Sequence, residues 1–276
     1  MANSISPEEA VLYEKRGKIG IITMNLPKKL NAMTQGYYFR MSQLMRQIAE
    51  DDSIFITVIT AKGRFFSASG ADVGISRAAI PGEDPYQQWL KNFVASNLNF
   101  TQAFYTHPKI LIAALNGPAV GLSAALVGHA DFVYAAPHTF LLTPFSSLGL
   151  VAEGLASYAF VQRLGIAKAN EALIMSKRIT CDELVQCGFV NKVFDVKPGE
   201  SDKFLDLVLK EIDDRLGDHL VQDSMTGIKA LIRRPYREAQ DAQGVAEVFG
   251  GLQRFLKGIP QEQFRQIGSG EKKHKL

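Results

Sequence analysis

The apolar positions of the chain follow two alternating patterns. Continuous apolar runs of strand length are separated by segments in which apolar residues recur every three or four positions. The strand-like runs are Val11 to Lys15, Ile19 to Asn25, Ile54 to Thr60, Ile110 to Leu115 and Phe132 to Ala135. The helix-like segments are Tyr37 to Glu50, Tyr86 to Tyr105 and Leu122 to Gly128. This alternation predicts an α/β architecture with a largely parallel sheet, whose first two strands form a hairpin at Gly17.

The last quarter of the chain has a different pattern. From about Ser201 the strand-like runs stop, and charges are interleaved with apolar residues at helical spacing. The predicted helices are Phe204 to Leu216, Val221 to Arg233 and Tyr236 to Lys257. No repeat or low-complexity linker separates them from the rest. We therefore predict a core over residues 1–200 and a helical region over residues 201–276 that packs on the core or mediates oligomerisation.

Composition and charge narrow the classes of function. A chain of 276 residues that is 46% hydrophobic has enough apolar side chains for a large core. Its formal charge of +3 is too small to suggest a nucleic-acid-binding surface. The most apolar stretch, Ile110 to Ala136, is interrupted by polar residues, so we predict no membrane span. Cys181 and Cys187 have neither a zinc-site nor a disulfide-framework spacing, and we predict no metal.

Two glycine-containing turns follow predicted buried strands. They are Arg64 to Asp72 and Asn116 to Ser123. Each taken alone is typical of a tight strand-to-helix turn. Backbone N–H groups exposed at such turns can also stabilise an oxyanion. The second turn runs into a near match to the G-x-S-x-G nucleophile elbow, which leaves a serine hydrolase at Ser123 as a rival hypothesis, although the second glycine is absent.

The order and content of these segments resemble the crotonase, or enoyl-CoA hydratase/isomerase, superfamily from about Val11 onward. The motifs that carry the resemblance are Asn25-Leu26-Pro27, Asn31-Ala32-Met33, Ser69-Gly70-Ala71-Asp72, Asn116-Gly117-Pro118-Ala119-Val120-Gly121, Asp131 and Leu148-Gly149-Leu150. The resemblance implies a spiral of repeated ββα units with a C-terminal helical region, and assembly as a homotrimer or homohexamer. It also implies an acyl-CoA thioester substrate and no separate cofactor, because CoA is part of the substrate.

The resemblance also implies a site. The family's two oxyanion donors are backbone N–H groups, which fall on Ala71 and Leu122 of this chain. Substrate contacts are implied for Ser69, Gly70, Ala71, Asp72, Val73, Leu122 and Phe145. The chain has one more residue between Phe66 and Gly70 than the family pattern. That residue either bulges the strand end or shifts the first donor by one position.

The carboxylates decide which reaction the resemblance implies. Hydratases of the family use two glutamates, and the matching positions here are Ala125 and Phe145, neither of which exchanges protons. A carboxylate stands instead at Glu153, in a segment similar to the isomerase branch. The expected activity is a Δ3,Δ2-enoyl-CoA isomerisation with Glu153 as proton carrier. A dienoyl-CoA isomerase would want a further acid near Ala125, and a noncatalytic acyl-CoA-binding protein would not need Glu153.

Glu153, Asn97 and the Lys28–Lys29 pair each also have an explanation that involves neither catalysis nor substrate binding. Glu153 could instead cap a helix over Gly154 to Leu164. Asn97 either orients Glu153 or is a surface amide. Lys28 and Lys29 either contact the CoA phosphates or belong to a solvated loop.

The C-terminal residues resemble a targeting signal. His274-Lys275-Leu276 resembles the Ser-Lys-Leu peroxisomal signal and follows a basic run. Taken alone, so short a match would favour a solvated, frayed end. Together with an enzyme of acyl-CoA metabolism it predicts location in the peroxisomal matrix, with the import receptor as a partner.

Overall fold

The structure is a computed structural model that describes residues 5–68 and 82–273. Its strands are β1 (Val11–Arg16), β2 (Ile19–Met24), β3 (Ile56–Ala61), β4 (Ile110–Leu115), β5 (Ala119–Val120), β6 (Phe132–Ala135), β7 (Phe140–Leu142), β8 (Ile179–Thr180) and β9 (Lys192–Val193). Its helices are α1 (Pro7–Ala10), α2 (Gln35–Glu50), α3 (Pro85–Trp89), α4 (Ser96–Tyr105), α5 (Leu122–Leu126), α6 (Ala156–Leu164), α7 (Ile166–Leu173), α8 (Cys181–Gln186), α9 (Ser201–Leu216), α10 (Gln222–Arg233), α11 (Arg237–Leu256) and α12 (Ile259–Gly268).

Among these residues the strands form two sheets. The larger has six strands in the order β1-β2-β3-β4-β6-β9, and the smaller has three in the order β5-β7-β8. β1 pairs with β2 antiparallel, with Val11 opposite Met24, and every later pair in the large sheet is parallel. The predicted hairpin and largely parallel sheet are therefore confirmed.

The continuous apolar runs have a simple cause in the large sheet. β3 and β4 are buried at every position because helices cover both faces of the sheet. Ile22 and Ile59 belong to the cluster of buried residues that includes α2, whereas Val58 and Ile112 belong to the cluster that includes Phe204 of α9. A strand buried on both faces has no polar side, so its sequence does not alternate.

The helices after residue 200 pack on the core of the same chain. α9 covers one face of the large sheet. α10 is held by Asp131, whose carboxylate pairs with Lys229 at 2.6 Å and with Arg233 at 2.8 Å. α11 lies against the loop that precedes α6, where Arg254 Nε donates to the Gly149 carbonyl at 2.9 Å. Their predicted role in oligomerisation stays a prediction.

Some elements were not predicted from the pattern. β7, β8, β9 and α1 have four residues or fewer, which is too short to show a period. α12 lies beyond the last predicted helix. The predicted helix from Tyr86 to Tyr105 is present, but residues Leu90–Ala95 within it form a π-helical turn between α3 and α4.

Candidate active site

Two buried amides hold the turn that follows β3: Asn31 from the segment after β2, and Asn116 from the turn after β4. Asn31 Nδ2 donates to the carbonyls of Lys62 and Phe65, both at 2.8 Å, and its Oδ1 accepts from the Leu26 N–H at 2.7 Å. Asn116 Nδ2 donates to the Gly63 carbonyl at 2.7 Å. The two glycine-containing turns of the sequence therefore meet at one edge of the sheet.

Backbone contacts bring the turns still closer together. The Val120 N–H donates to the Ser67 carbonyl at 2.8 Å, and Ser67 forms a parallel bridge with Ala119. A Cβ at Gly117 would lie 2.2 Å from the Arg64 carbonyl oxygen, so only glycine fits there. The predicted residues beyond this point, Ser69, Gly70, Ala71, Asp72 and Val73, lie outside the described residues.

Leu122 is the first residue of α5, directly after the second turn. Gly121 has φ 67° and ψ −135°, a conformation that favours glycine, and it turns the chain abruptly into the helix. The N–H of a first helical residue has no partner within its helix. Within the described parts of the chain, no hydrogen bond from the Leu122 N–H occurs. An N–H group without a partner is one requirement of an oxyanion donor, and that role of Leu122 stays a prediction.

Glu153 is half-buried in the loop between β7 and α6. Asn97 Nδ2, on α4, donates to Glu153 Oε2 at 3.2 Å. Asn97 is 4% exposed, so it is an interior amide and not a surface one, and its Oδ1 accepts from Thr101 Oγ1 at 3.3 Å. The negative charge of Glu153 also contributes to raising the pKa of Tyr38, after the larger effect of burial.

Gly154 places Glu153 beside the start of α5. Gly154 has φ +68°, and a Cβ there would lie 2.9 Å from both the Ala125 Cβ and the Leu122 Cδ1. Its carbonyl accepts from His129 Nε2 at 2.8 Å, which requires that Nε2 carry the proton. Burial lowers the pKa of His129 to about 4, so the ring is neutral at pH 7. The predicted proton carrier and the predicted donor Leu122 therefore belong to packed, adjacent backbone segments.

The Glu153 side chain is not the N-cap of the helix that follows it, because α6 begins at Ala156 and its N-cap residue is Leu155. The N–H groups of Leu155 and Ser157 donate to Glu247 of α11 at 2.7 Å and 2.9 Å, and the Ala156 N–H donates to the Glu153 backbone carbonyl at 3.2 Å. Glu247 is 6% exposed. Sequence reasoning missed it, because a glutamate in an amphipathic helix looks like part of the solvated face.

The two positions that match the hydratase glutamates are apolar and enclosed. Ala125 is 0% exposed and Phe145 is 3% exposed. Phe145 starts the turn that leads to Glu153, since its carbonyl accepts from the Leu150 N–H at 2.8 Å. Neither side chain can donate or accept a proton.

Ser123 is bound in a way that does not suit a nucleophile. Its hydroxyl pairs with the Tyr38 hydroxyl at 2.7 Å, and both residues are almost fully buried, at 5% and 3% exposure. Burial raises the pKa of Tyr38 well above its ordinary value, so the phenol stays neutral and is a poor base. A serine nucleophile needs an adjacent base, usually histidine. The hydrolase hypothesis therefore receives no support from this pair.

The two lysines predicted to contact the CoA phosphates lie on the surface. Lys28 and Lys29 are exposed on a short 3-10 turn, and the carbonyl of the next residue, Leu30, accepts from the Ala68 N–H at 2.8 Å, close to the first glycine turn.

Over residues 5–68 and 82–273, no group of three or more His, Cys, Asp or Glu side chains is placed to hold a metal ion. In the same ranges, no helix is long and apolar enough to cross a membrane. The C-terminal His274, Lys275 and Leu276 lie outside the described residues.

Known proteins resemble the chain over nearly all of its length. The family model for enoyl-CoA hydratase/isomerase matches residues 14–224. A Delta(3,5)-Delta(2,4)-dienoyl-CoA isomerase from Pyricularia oryzae is 58% identical over 274 residues, which cover 95% of this chain and 98% of the relative. A 3,2-trans-enoyl-CoA isomerase from Saccharomyces cerevisiae is 34% identical over 282 residues, covering both chains completely.

The fold also matches solved structures. The enoyl-CoA hydratase/isomerase from Pseudoalteromonas atlantica T6c has a TM-score of 0.81 to this chain at 24% identity, covering 97% of this chain and all of the other. At that identity the similarity concerns the fold alone. The α/β fold predicted from the sequence is thereby confirmed.

Proposed function

The chain belongs to the enoyl-CoA hydratase/isomerase family, and on that basis we propose that it is an isomerase that moves a carbon–carbon double bond of a fatty-acyl-CoA. The proposed reaction converts a 3-enoyl-CoA to a trans-2-enoyl-CoA, as in the β-oxidation of unsaturated fatty acids. The observation that carries this proposal is the Glu153 carboxylate, held by Asn97 beside the start of α5, where the two hydratase positions are Ala125 and Phe145.

The proposed chemistry needs one base and one oxyanion site. The Glu153 carboxylate removes a proton from C2, and the electrons of that C–H bond form a double bond between C1 and C2 as the thioester oxygen becomes an enolate oxygen. The N–H groups of Leu122 and Ala71 stabilise that oxygen. The protonated Glu153 then delivers its proton to C4, the double bond moves to C2–C3, and the thioester carbonyl is restored. No atom is gained or lost, and Glu153 ends as a carboxylate.

Water is not needed in this scheme, unlike hydration. A hydratase must position and deprotonate a water molecule, which in this family requires the two glutamates. Ala125 and Phe145 can do neither. The apolar packing of Ala125 and Leu122 against Gly154 further limits the space for an ordered water beside the substrate.

A second candidate reaction is the Δ3,5 to Δ2,4 isomerisation of a dienoyl-CoA. The observation that favours it is the 58% identical relative that carries this name. The first step would be the same removal of a C2 proton by Glu153, but the proton would return at C6. Because C6 is two bonds farther along the chain than C4, this reaction requires greater reach from one carboxylate or a second acid.

The decisive experiment compares both substrates on one enzyme preparation. Purified protein is incubated with 3-hexenoyl-CoA or with a 3,5-dienoyl-CoA, and the conjugated products are separated and quantified. We expect Glu153→Gln to lower turnover by at least about 100-fold while CoA binding is kept, because the amide cannot accept the C2 proton. Glu50→Gln, an exposed change at the end of α2, is the matched control. Near-normal turnover of Glu153→Gln would refute Glu153 as the base.

Assembly and location complete the proposal. We propose a homotrimer or homohexamer, because α10 exposes the apolar side chains of Ile228, Leu231 and Ile232 at 57%, 68% and 60%. Light scattering of wild type and Leu231→Asp tests this: a wild-type monomer would contradict it.

We also propose import into the peroxisomal matrix through the terminal His-Lys-Leu. Retention of peroxisomal import after deletion of Leu276, in cells that lack the intact chain, would contradict it.

The CoA end of the substrate is proposed to bind near the first glycine turn. Lys28 and Lys29 are exposed there, and their ammonium groups are suited to the phosphates of CoA. No separate cofactor is proposed, because CoA enters as part of the substrate.

A further inference from the structure

The backbone immediately after Glu153 turns through an unfavourable conformation. Gly154 has φ 68° and Leu155 has φ 60°, both in the left-handed region. A leucine rarely adopts that region, since its Cβ crowds the following carbonyl oxygen. Such a corner persists only where surrounding groups hold it in place.

Two side chains from distant elements form hydrogen bonds with this corner. His129 Nε2 donates to the Gly154 carbonyl at 2.8 Å. Glu247, on α11, accepts from the Leu155 N–H at 2.7 Å with Oε2 and from the Ser157 N–H at 2.9 Å with Oε1. The Ser157 hydroxyl also donates to Glu247 Oε1.

The position of Glu247 calls for an explanation beyond helix capping. Helices are usually capped by the residue that precedes them, but Leu155 has no side-chain acceptor. The cap of α6 comes instead from a carboxylate 92 positions later, which is 6% exposed and therefore desolvated. Gln243, one turn earlier on α11, adds a hydrogen bond from its Nε2 to Ser157 Oγ at 2.8 Å. α11 is thus fastened to the segment that carries Glu153.

We propose that Glu247 is a positioning residue for proton transfer by Glu153. By binding Leu155 and Ser157 it fixes the corner that directs Glu153 toward the substrate, and it thereby makes the geometry of the base depend on the docking of α11. Glu247 does not touch the substrate. This inference rests on the proposed function, in which Glu153 carries the proton.

A glutamine at position 247 tests the role with little change of shape. An amide presents only one acceptor oxygen, so one of the two N–H groups would face the NH2 group and the corner would shift. We expect Glu247→Gln to lower kcat about 10- to 100-fold, because small displacements of a reacting group reduce rates by such factors. KM should stay within about twofold of wild type. Glu238→Gln, an exposed change on the same helix, is the matched control and should leave both constants unchanged.

A double variant separates positioning from general damage. If Glu247 acts through Glu153, adding Glu247→Gln to Glu153→Gln should not lower the residual turnover further. Losses that multiply in the double variant would overturn the proposal. So would a wild-type kcat for Glu247→Gln in an experiment where Glu153→Gln is impaired. If Glu153→Gln itself keeps normal turnover, the proposed function fails, and that result is recognised from the single variant alone.

A milder variant keeps the test valid if Glu247→Gln does not fold. Ser157→Ala removes the hydroxyl that donates to Glu247 but retains the Ser157 N–H. It should lower kcat several-fold at unchanged KM, measured well below the melting temperature of each variant. An unfolded Glu247→Gln together with an unchanged kcat for Ser157→Ala would show a role in folding only and would overturn the proposal.

Discussion

Asn97 Nδ2 donates a hydrogen bond to Glu153 Oε2 over 3.2 Å, and this contact joins α4 to the loop between β7 and α6. The amide is buried, and its oxygen is engaged by Thr101 on the next turn of the helix. The orientation of Asn97 is therefore fixed from both ends. In the proposed mechanism this contact fixes the orientation of the base.

Removing this donor should slow the reaction without removing the base. We expect Asn97→Ala to lower turnover about tenfold, which corresponds to losing a hydrogen bond to a charged group of about 1.5 kcal/mol. Asn99→Ala is the control, because Asn99 lies on the same helix but contacts Arg46 and Ser42. Steady-state rates of both variants check the prediction. Equal effects of the two changes would contradict a specific role for Asn97.

The space around Gly154 should tolerate no side chain. Gly154→Ala combines a positive φ of +68° with contacts of 2.9 Å to Ala125 and Leu122, whereas Gly258→Ala has a similar φ of +69° and nothing within 4 Å. We expect Gly258→Ala to cost about 1 kcal/mol from backbone strain and Gly154→Ala to cost about 1 to 3 kcal/mol more from overpacking. Urea unfolding measures both. Equal costs would mean that the neighbours of Gly154 relax freely.

Acid should destabilise the fold through His129. Burial, assisted by the charges of Arg233 and Arg163, lowers its pKa from the ordinary 6.5 to about 4, although the Gly154 carbonyl opposes the shift. Between these values the unfolded chain binds a proton that the folded chain does not. The stabilisation is thus present in full above about pH 6.5 and is lost as the pH falls to about 4, amounting to about 3 kcal/mol.

A glutamine at position 129 isolates this effect. Gln can still donate to the Gly154 carbonyl but does not titrate. The free energy of unfolding, measured by urea at pH 7.5 and at pH 5, should fall by about 2 kcal/mol less in His129→Gln than in wild type. Other groups, including the buried His107, titrate in both proteins and cancel in the comparison. An identical pH dependence would contradict a neutral, buried His129.

The buried hydroxyl pair of Tyr38 and Ser123 should be structural. Either Tyr38→Phe or Ser123→Ala leaves one buried hydroxyl without its partner, at a cost of about 1 to 3 kcal/mol. The double variant should be no less stable than the worse single variant, because no unpaired hydroxyl remains. Unfolding free energies check this. Labelling of Ser123 by a fluorophosphonate would instead revive the hydrolase hypothesis.

Much of the fold was predictable from the sequence because the large sheet has a simple arrangement of buried and exposed positions. Strands such as β3 and β4 are covered on both faces, so they appear as unbroken apolar runs between helices. Elements of two to four residues, such as β8 and β9, were not predictable because so few positions cannot display a period. The π-helical turn before Asn97 was also not predictable, since it changes the backbone but not the helical spacing of apolar residues in the sequence.

The sequence by itself determined the chemical types present: a glutamate at position 153, apolar residues at 125 and 145, and glycine at the turns. Only the tertiary structure decided which groups meet. Asn97 reaches Glu153 across 56 positions, and Glu247 reaches Leu155 across 92. The physical reason is that periodicity records which face of an element is buried by the rest of the protein, but not which atom of another element it meets there. A buried carboxylate such as Glu247 is recognised only when the N–H groups that compensate its desolvation have been located.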